Sequence, residues 1–405
     1  MSDRELRPLP YGKQSIDDED VAEVVRVLRS DFLTQGPEVA RFEAALCEAT
    51  GARYAVAVAN GTAALHLACL AAGVRDGDVG VVPTITFVAS GNAVRYAGGS
   101  VAFADVDPDT ALVTPASIEA RVSELAAKGK RPKVIVPVDM TGAIADLAAV
   151  RAIADRVGAV VIEDAAHSLG ARRLLDVGGR ETEVRGASCQ LAHMAILSFH
   201  PVKHVTTGEG GAVTTNDEAL YKELCDLRTH GITKQGLEQS DGPWYYEQRV
   251  LGFNYRITDI QCALGTSQMR KLPAFIARRR EVARRYDAAF AAHASVVRPL
   301  TVAAGSDSAY HLYVVRLVAR DGEDEAGVAA RRKALYLALA EQKIYTQVHY
   351  IPVHRQPDFR RAGMGHEHLP GASAYYASCL SLPMFPAMTD ADVDRVVESV
   401  VRAAG

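Results

Sequence analysis

A series of short apolar runs, separated by helix-like segments, constrains the fold of this chain more than any other feature. The runs are continuous rather than alternating, which is typical of strands covered on both faces. They lie at residues 54–58, 81–87, 101–105, 134–139, 160–164 and 195–199. An Ala/Leu/Val-rich segment between Asp139 and Val160 completes a strand–helix–strand unit. The pattern predicts an α/β protein with a mostly parallel central sheet.

From about residue 254 the pattern changes, and a smaller C-terminal α/β domain is expected. Thr258 and Gln261 form a capping box that starts a helix, and Pro273 is expected to separate it from a second, arginine-rich helix. Strands are predicted at 311–318 and 344–350, with a helix at 328–342 between them. Thr389 caps a last amphipathic helix. We therefore predict a large domain over 1–255, followed by linking helices and a small domain over 256–405.

Composition and charge exclude several classes of partner. The net charge of -4 gives no electrostatic reason to bind nucleic acid or an anionic membrane. No apolar run is long enough to span a bilayer. The six cysteines include no C-x-x-C pair, which argues against a disulfide framework and against a metal site. We expect a reduced, cytoplasmic protein that contains no metal.

Residues 60–65 are predicted to form a strand-to-helix turn that could seat a phosphate. A helix N-terminus presents unpaired N–H groups and a positive dipole end, which together favour an anion. Gly61 would let the backbone approach the ligand, and Thr62 would add a hydroxyl. An ordinary structural turn is the default alternative, and the P-loop pattern is absent.

Asp164 is predicted at the carboxyl end of a buried strand, where open α/β sheets bind their ligands. A carboxylate is costly to bury unless a cation meets it. A protonated pyridine nitrogen would meet that need, and the pairing would keep the ring electron-poor. The position of Asp164 in the sequence is explained equally well by an aspartate that caps a helix or faces water.

Lys203 is the strongest candidate for a catalytic residue, because it follows a buried strand and precedes a glycine-rich turn. Its neighbours are mostly apolar residues, glycines and histidines, with His200 and His204 on either side. A lysine that forms a Schiff base needs a pKa lowered by desolvation or by neighbouring cations. The alternative, a surface lysine in a hairpin, does not explain these neighbours. Most of the remaining histidines are interpreted as surface or packing residues.

Asn254 lies in residues 252–256, just before the capping-box helix, where a helix cap is the default interpretation. In this order and at these separations, the phosphate turn, Asp164, Lys203 and Asn254 resemble the DegT/DnrJ/EryC1/StrS family of PLP-dependent sugar aminotransferases. The resemblance runs from about Tyr11 to the C-terminus. It implies the type I PLP-dependent aminotransferase fold and pyridoxal 5'-phosphate (PLP) as the cofactor. Residues 9–14, 30–37 and 198–211 are similar to the branch that makes UDP-4-amino-4,6-dideoxy-N-acetyl-β-L-altrosamine for pseudaminic acid.

The resemblance also implies roles for individual residues. Lys203 would be the catalytic residue that binds PLP covalently, Asp164 would pair the pyridine nitrogen, and His167 would lie near the phenolic oxygen. The implied cofactor-binding residues are Gly61, Thr62, Ala63, Phe87, Asp164, His167, Ser198 and Asn254. Of these, Phe87 would stack on the ring, and Asn254 would reach the cofactor of a neighbouring subunit. The implied substrate-binding residues are Tyr11, Asp31, Phe32, Leu33, Thr34, Gln347, Val348, His349 and Tyr350.

The implied reaction moves the amino group of L-glutamate to the C4 ketone of a UDP-linked 4-keto-6-deoxy-N-acetylhexosamine. The implied assembly is a homodimer whose subunits share their active sites. One alternative is another nucleotide-linked keto-sugar, such as a dTDP-linked 3- or 4-keto-6-deoxyhexose. Further alternatives are a PLP-dependent sugar dehydratase, in which histidine replaces the lysine, and a non-catalytic sensor on the same fold.

Overall fold

The computed structural model describes residues 7–234 and 242–404. Its strands are β1 (Tyr54–Val58), β2 (Val79–Pro83), β3 (Ser100–Ala104), β4 (Val134–Ile135), β5 (Val160–Asp164), β6 (Arg172–Val177), β7 (Arg180–Arg185), β8 (Met194–Ser198), β9 (Gly211–Thr215), β10 (Ile232–Thr233), β11 (Glu247–Gln248), β12 (Val297–Pro299), β13 (Ser306–Asp307), β14 (Tyr313–Leu317) and β15 (Cys379–Leu382). Its helices are α1 (Asp18–Leu28), α2 (Pro37–Thr50), α3 (Gly61–Ala71), α4 (Val88–Tyr96), α5 (Pro115–Ala127), α6 (Leu147–Val157), α7 (Glu218–Arg228), α8 (Asp259–Ala291), α9 (Glu325–Glu341), α10 (Pro357–Arg361), α11 (Pro370–Ser378) and α12 (Asp390–Ala404).

The central sheet has seven strands in the order β1-β9-β8-β5-β4-β2-β3. Strand β9 is antiparallel to both of its neighbours, and the other pairs in the sheet are parallel. All six apolar runs found in the sequence lie in this sheet, with bounds shifted by a few residues. The predicted mostly parallel α/β architecture is confirmed.

Helices cover both faces of this sheet, which is why its strands are apolar along their whole length. On one face, α2, α5 and α6 contribute buried residues such as Phe42, Ile118 and Ile153. On the other face, α3 and α7 contribute Leu67 and Leu224.

A second, smaller sheet lies in the C-terminal part of the chain, with the order β12-β14-β15 and antiparallel pairs. Its core includes Val315 and Leu380 from the sheet, Leu335 from α9 and Val396 from α12. The small α/β unit expected from the sequence is therefore present. A domain boundary between residues 255 and 256 stays a prediction.

The predicted helix break at Pro273 is wrong. Helix α8 runs without interruption for 33 residues and contains Pro273 in its interior. The capping box of Thr258 and Gln261 begins this helix as expected. A proline removes one backbone hydrogen bond, but side chains on both sides of it, including Leu272 and Ile276, are buried and hold both halves of the helix against the core.

The predicted strand at 344–350 is also wrong, because this segment forms only isolated bridges. Ile344 pairs with Leu9, and Gln347 pairs with Ser381. Two different partners within four residues prevent a regular ladder. Among the described residues, no helix is long and apolar enough to cross a membrane.

Candidate active site

A cavity of about 1000 Å³ opens at the carboxyl ends of β5 and β8. The N-termini of α3 and α4 and the segment 347–351 complete its walls. Parallel strands end at the same edge of a sheet, so residues far apart in sequence meet there. The predicted site residues that line this cavity are Tyr11, Gly61, Thr62, Ala63, Phe87, Asp164, His167, Ser198, Lys203, Gln347, Val348, His349 and Tyr350.

The turn at the start of α3 has the geometry of an anion site. The Asn60 side chain caps the helix by accepting a hydrogen bond from the Ala63 N–H at 2.8 Å, and the Asn60 carbonyl accepts one from Ala64. The N–H groups of Gly61 and Thr62, in the first turn of the helix, have no intrahelical acceptor. They remain available to a phosphate at the positive end of the helix dipole.

Two glycines allow the close approach that forms this turn. A Cβ atom at Gly61 would lie 3.0 Å from the Cβ of Ser198. A Cβ atom at Gly211, the first residue of β9, would lie 2.5 Å from the carbonyl oxygen of Asn60. Sequence analysis missed Gly211, although a glycine at the start of a buried strand is a signal of close backbone approach.

Asp164 is buried at the end of β5, with only 6% of its surface exposed. Its Oδ2 accepts a hydrogen bond from Ser90 Oγ at 2.7 Å, and its Oδ1 accepts one from the Ala166 N–H at 3.3 Å. Burial raises the pKa of Asp164, whereas these hydrogen bonds and the charge of Lys203 lower it. Both hydrogen-bond partners are neutral, so the carboxylate can still pair with a cationic group of a ligand.

Ser90 was missed by sequence analysis, and no local signal could have found it. It lies in the first turn of α4, 74 positions from Asp164 in the chain. Its hydroxyl also lies 2.7 Å from Thr86 Oγ1. Only the packing of α4 over β5 brings these groups together.

Lys203 lies in the loop after β8, partly buried, with its side chain in the cavity wall. Burial lowers the pKa of Lys203 to about 8, against the opposing effect of the Asp164 carboxylate. An amine with this pKa is partly neutral near neutral pH, as nucleophilic and base chemistry require.

The cavity wall near Lys203 includes His167, His311 and His349, and His204 follows Lys203 directly in the chain. The Nε2 of His167 lies 3.5 Å from the Tyr350 hydroxyl, and its ring centroid lies 4.2 Å from that of His311. His311 lines the cavity, although the sequence offered no reason to separate it from surface and packing histidines.

The segment from Gln347 to Tyr350 enters the cavity from the small-sheet side. His349 is held by its Nδ1, which lies 2.8 Å from Ser381 Oγ, and by its carbonyl, which accepts a hydrogen bond from the Tyr375 hydroxyl at 2.7 Å. The rings of Tyr11 and His349 are 5.2 Å apart, and those of Phe87 and Tyr350 are 6.2 Å apart. Phe87 is 57% exposed, so its ring face is open to a ligand.

The structure does not bring the other predicted site residues into the cavity of their own chain. Asn254, Asp31, Phe32, Leu33 and Thr34 are all exposed and lie outside it. Leu33 and Thr34 lie beside the start of α8, where the Asp259 N–H donates to the Leu33 carbonyl at 3.0 Å and Thr34 pairs with Thr258. Asn254 pairs with Thr229 instead.

Residues 14–401 match the sequence model of the DegT/DnrJ/EryC1/StrS aminotransferase family. The chain belongs to this family. Spore coat polysaccharide biosynthesis protein SpsC of Bacillus subtilis is 36% identical to this family member over 396 residues, which cover 97% of the chain and 96% of SpsC. The identity extends over both the central sheet and the small C-terminal sheet.

Solved structures show the same fold. Helicobacter pylori PseC, an aminotransferase involved in the biosynthesis of pseudoaminic acid, has a TM-score of 0.86 at 27% identity, covering 98% of this chain and 99% of PseC. A putative sugar aminotransferase from Streptococcus pneumoniae in its PMP form has a TM-score of 0.85 at 26% identity, covering 98% of each chain, and it was also solved in a PLP form. The type I aminotransferase fold and the dependence on PLP are thereby confirmed.

The cavity of this DegT/DnrJ/EryC1/StrS aminotransferase fits PLP. The free N–H groups at the start of α3 suit the phosphate, and the buried Asp164 carboxylate suits a protonated pyridine nitrogen. Lys203 would supply the amine, and the buried Nδ1 of His167 has no hydrogen-bond partner among the described residues.

Proposed function

We propose that this enzyme transfers the amino group of L-glutamate to the C4 ketone of a UDP-linked 4-keto-6-deoxy-N-acetylhexosamine, giving UDP-4-amino-4,6-dideoxy-N-acetyl-β-L-altrosamine. The observation that carries the proposal is a single cavity holding Lys203, Asp164 and the anion-binding turn of α3, with room for a sugar beside them. Similarity over nearly the whole chain to PseC supports this sugar, and similarity to SpsC supports a role in polysaccharide synthesis.

Lys203 is the proposed catalytic residue. PLP, when bound, supplies an electron-poor ring that withdraws electrons from the reacting carbon of the amino donor. Lys203 would hold the cofactor, and its freed Nζ would take the proton from the donor Cα as general base and return it to C4′ of the cofactor as general acid. Its lowered pKa lets it act in both directions near neutral pH.

The other cofactor contacts divide between the two ends of the cavity. Gly61, Thr62, Ala63 and Ser198 would bind the phosphate, which fixes the position of the cofactor. Asp164 would hold a proton on the pyridine nitrogen, since a buried carboxylate with neutral hydrogen-bond partners favours a cation beside it. His167 would contact the phenolic oxygen, and Phe87 would cover one face of the ring.

Substrate contacts are proposed on the opposite wall. Tyr11 and the four residues from Gln347 to Tyr350 line the cavity next to Lys203. They offer aromatic faces, an imidazole and an amide, which suit the apolar ring faces and polar substituents of a sugar.

Asn254 and the segment from Asp31 to Thr34 support a homodimer. They lie on the exposed surface of the chain, outside its own cavity. We assign this surface to the interface with a second copy, where Asn254 would reach the cofactor phosphate of the partner. The active site is then incomplete in a single chain.

The visible absorption spectrum of the purified protein tests the reaction. We expect a band from the lysine-bound cofactor that bleaches with L-glutamate and returns when the UDP-linked 4-keto-6-deoxy-N-acetylhexosamine is added. Bleaching without return would support an aminotransferase but reject this sugar as its substrate. A dTDP-linked 4-keto-6-deoxyhexose would then be tested in the same way as the alternative acceptor. Absence of the band after adding PLP would overturn the assignment of Lys203.

A further inference from the structure

His167 and His311 form a pair of buried imidazoles in the cavity wall. Their ring centroids are 4.2 Å apart, and only 5% and 4% of their surfaces are exposed. Within the described residues, the buried Nδ1 of each ring has no hydrogen-bond partner. Because an unpaired buried polar atom is costly, two such atoms on neighbouring rings of a ligand cavity indicate that a ligand completes them.

The environment of both imidazoles favours their neutral form. Burial is the main cause that lowers the pKa of His167 well below its usual value, and Lys203, His349 and His204 add to it. Burial also lowers the pKa of His311, helped by His167, Lys203, His204 and Arg279. A neutral imidazole has one N–H donor and one acceptor nitrogen, so the pair suits an oxygen that both donates and accepts, or a phenolic oxygen.

The third histidine, His204, differs because its hydrogen bond is already made. Its Nε2 lies 3.1 Å from the Ala309 carbonyl oxygen, two residues before His311. His204 therefore holds the backbone that carries His311, rather than offering a free polar atom.

Arg279 holds the same backbone from the other side. It is fully buried in α8, and its Nη1 donates to the carbonyl oxygens of Tyr310, His311 and Met384 at 3.2, 3.1 and 3.0 Å. Tyr310 adopts a φ of 46°, in the left-handed region that side chains other than glycine rarely enter. A buried cation and a strained residue together keep one short segment in place, which is typical of a segment that positions a functional group.

We propose that His311 is a ligand-binding residue of the active site, placed against His167 by Arg279 as a positioning residue, and that it hydrogen-bonds an oxygen of the bound cofactor or of the sugar. The proposal rests on the proposed aminotransferase function. In both cases a neutral imidazole forms a hydrogen bond with an oxygen atom of the ligand. A cofactor oxygen and a sugar oxygen give different experimental results.

The experiment compares the wild-type holoenzyme with His311→Leu, His311→Asn, Arg279→Lys and His354→Gln. Leucine removes the polar atoms of His311, and asparagine restores an amide near the position of Nδ1. His354 is the matched control, because it is equally buried but lies outside the cavity, with its Nδ1 2.7 Å from Thr84 Oγ1. The readouts are the pH midpoint of the visible cofactor band, the kcat and KM for the keto-sugar, and the thermal midpoint.

If the oxygen belongs to the cofactor, His311→Leu shifts the pH midpoint of the band by about one unit. If it belongs to the sugar, the midpoint stays and the KM for the keto-sugar rises about tenfold. Either result supports the proposal when His311→Asn recovers part of the change and Arg279→Lys reproduces part of it.

The proposal is overturned if His311→Leu matches His354→Gln in both the band midpoint and the KM, with a change only in the thermal midpoint. Should the leucine variant fail to fold, Arg279→Lys decides by the same two readouts, and wild-type values for this variant overturn the proposal. A wild-type protein that shows no cofactor band contradicts the proposed function instead, before any variant is compared.

Discussion

At the scale of single residues, Lys203 and Asp164 influence each other across the cavity. Burial lowers the pKa of Lys203 to about 8, and the Asp164 carboxylate opposes that shift. The balance keeps the amine protonated at low pH and neutral above about pH 8, where it can attack the cofactor aldehyde.

The rate at which the protein without cofactor captures PLP should therefore depend on pH. Below the pKa of Lys203 the rate should rise about tenfold per pH unit, because only the neutral amine attacks, and above it the rate should level off. Replacing Asp164 by asparagine removes the charge that raises this pKa, so the plateau should begin at a lower pH. Stopped-flow absorbance measures both profiles, and a plateau that moves to higher pH in Asp164→Asn contradicts the coupling.

Ser90→Ala should weaken catalysis without unfolding the protein. In the wild type, the hydrogen bond from Ser90 to Asp164 Oδ2 lowers the pKa of this carboxyl group. Its loss raises that pKa, so Asp164 becomes easier to protonate and pairs less well with a pyridine nitrogen. We expect kcat to fall about tenfold, in line with one lost hydrogen bond to a charged group. Ser373→Ala, on α11 and outside the cavity, is the control that should keep wild-type kcat.

At the scale of elements, the approach of β9 to the start of α3 forms the anion-binding turn. Gly211→Ala should weaken cofactor binding strongly, because the new Cβ would lie 2.5 Å from the Asn60 carbonyl oxygen and must displace the turn. Gly61→Ala should have a smaller effect, since its closest contact would be the Ser198 Cβ at 3.0 Å. Titration with PLP gives both affinities, and equal affinities for the two variants would argue against backbone approach as the cause.

Helix α8 offers a test of why Pro273 does not break it. Pro273 is exposed, and Pro273→Ala restores the missing backbone N–H without filling any buried space. We expect a gain of about 1–3 kcal/mol in the free energy of unfolding, measured by urea titration.

The opposite change, Ala277→Pro at an exposed position one turn later, should destabilise the protein by about 3 kcal/mol. No gain from Pro273→Ala would indicate that the packing of α8 has adapted to the proline.

At the scale of the whole molecule, the proposed homodimer predicts complementation between two impaired variants. Lys203→Ala lacks the catalytic amine, and Asn254→Ala lacks the group assigned to the partner's cofactor. In a mixed dimer one site keeps Lys203 from one chain and Asn254 from the other, so mixing equal amounts should restore about a quarter of the wild-type activity. Co-expression followed by an activity assay measures this, and no recovery in confirmed mixed dimers would show that each chain completes its own site.

The sequence by itself determined the class of fold, because continuous apolar runs between helical segments leave few arrangements other than a covered, mostly parallel sheet. It also singled out Lys203, Asp164 and the turn at Gly61 as site candidates, since each stands where a strand ends and a helix or glycine turn begins, and the structure brings them to one cavity. The resemblance carried by these motifs extended to the family and its cofactor, which the comparisons confirm.

Only the tertiary structure decided what depends on distant packing. Ser90, His311 and Arg279 contact the site or its supports across long stretches of chain, and nothing local marks them. Pro273 and the segment 344–350 were misjudged for the same reason. Local propensity predicted a break and a strand, whereas the burial of α8 on both sides of the proline and the two separate partners of residues 344 and 347 outweighed it.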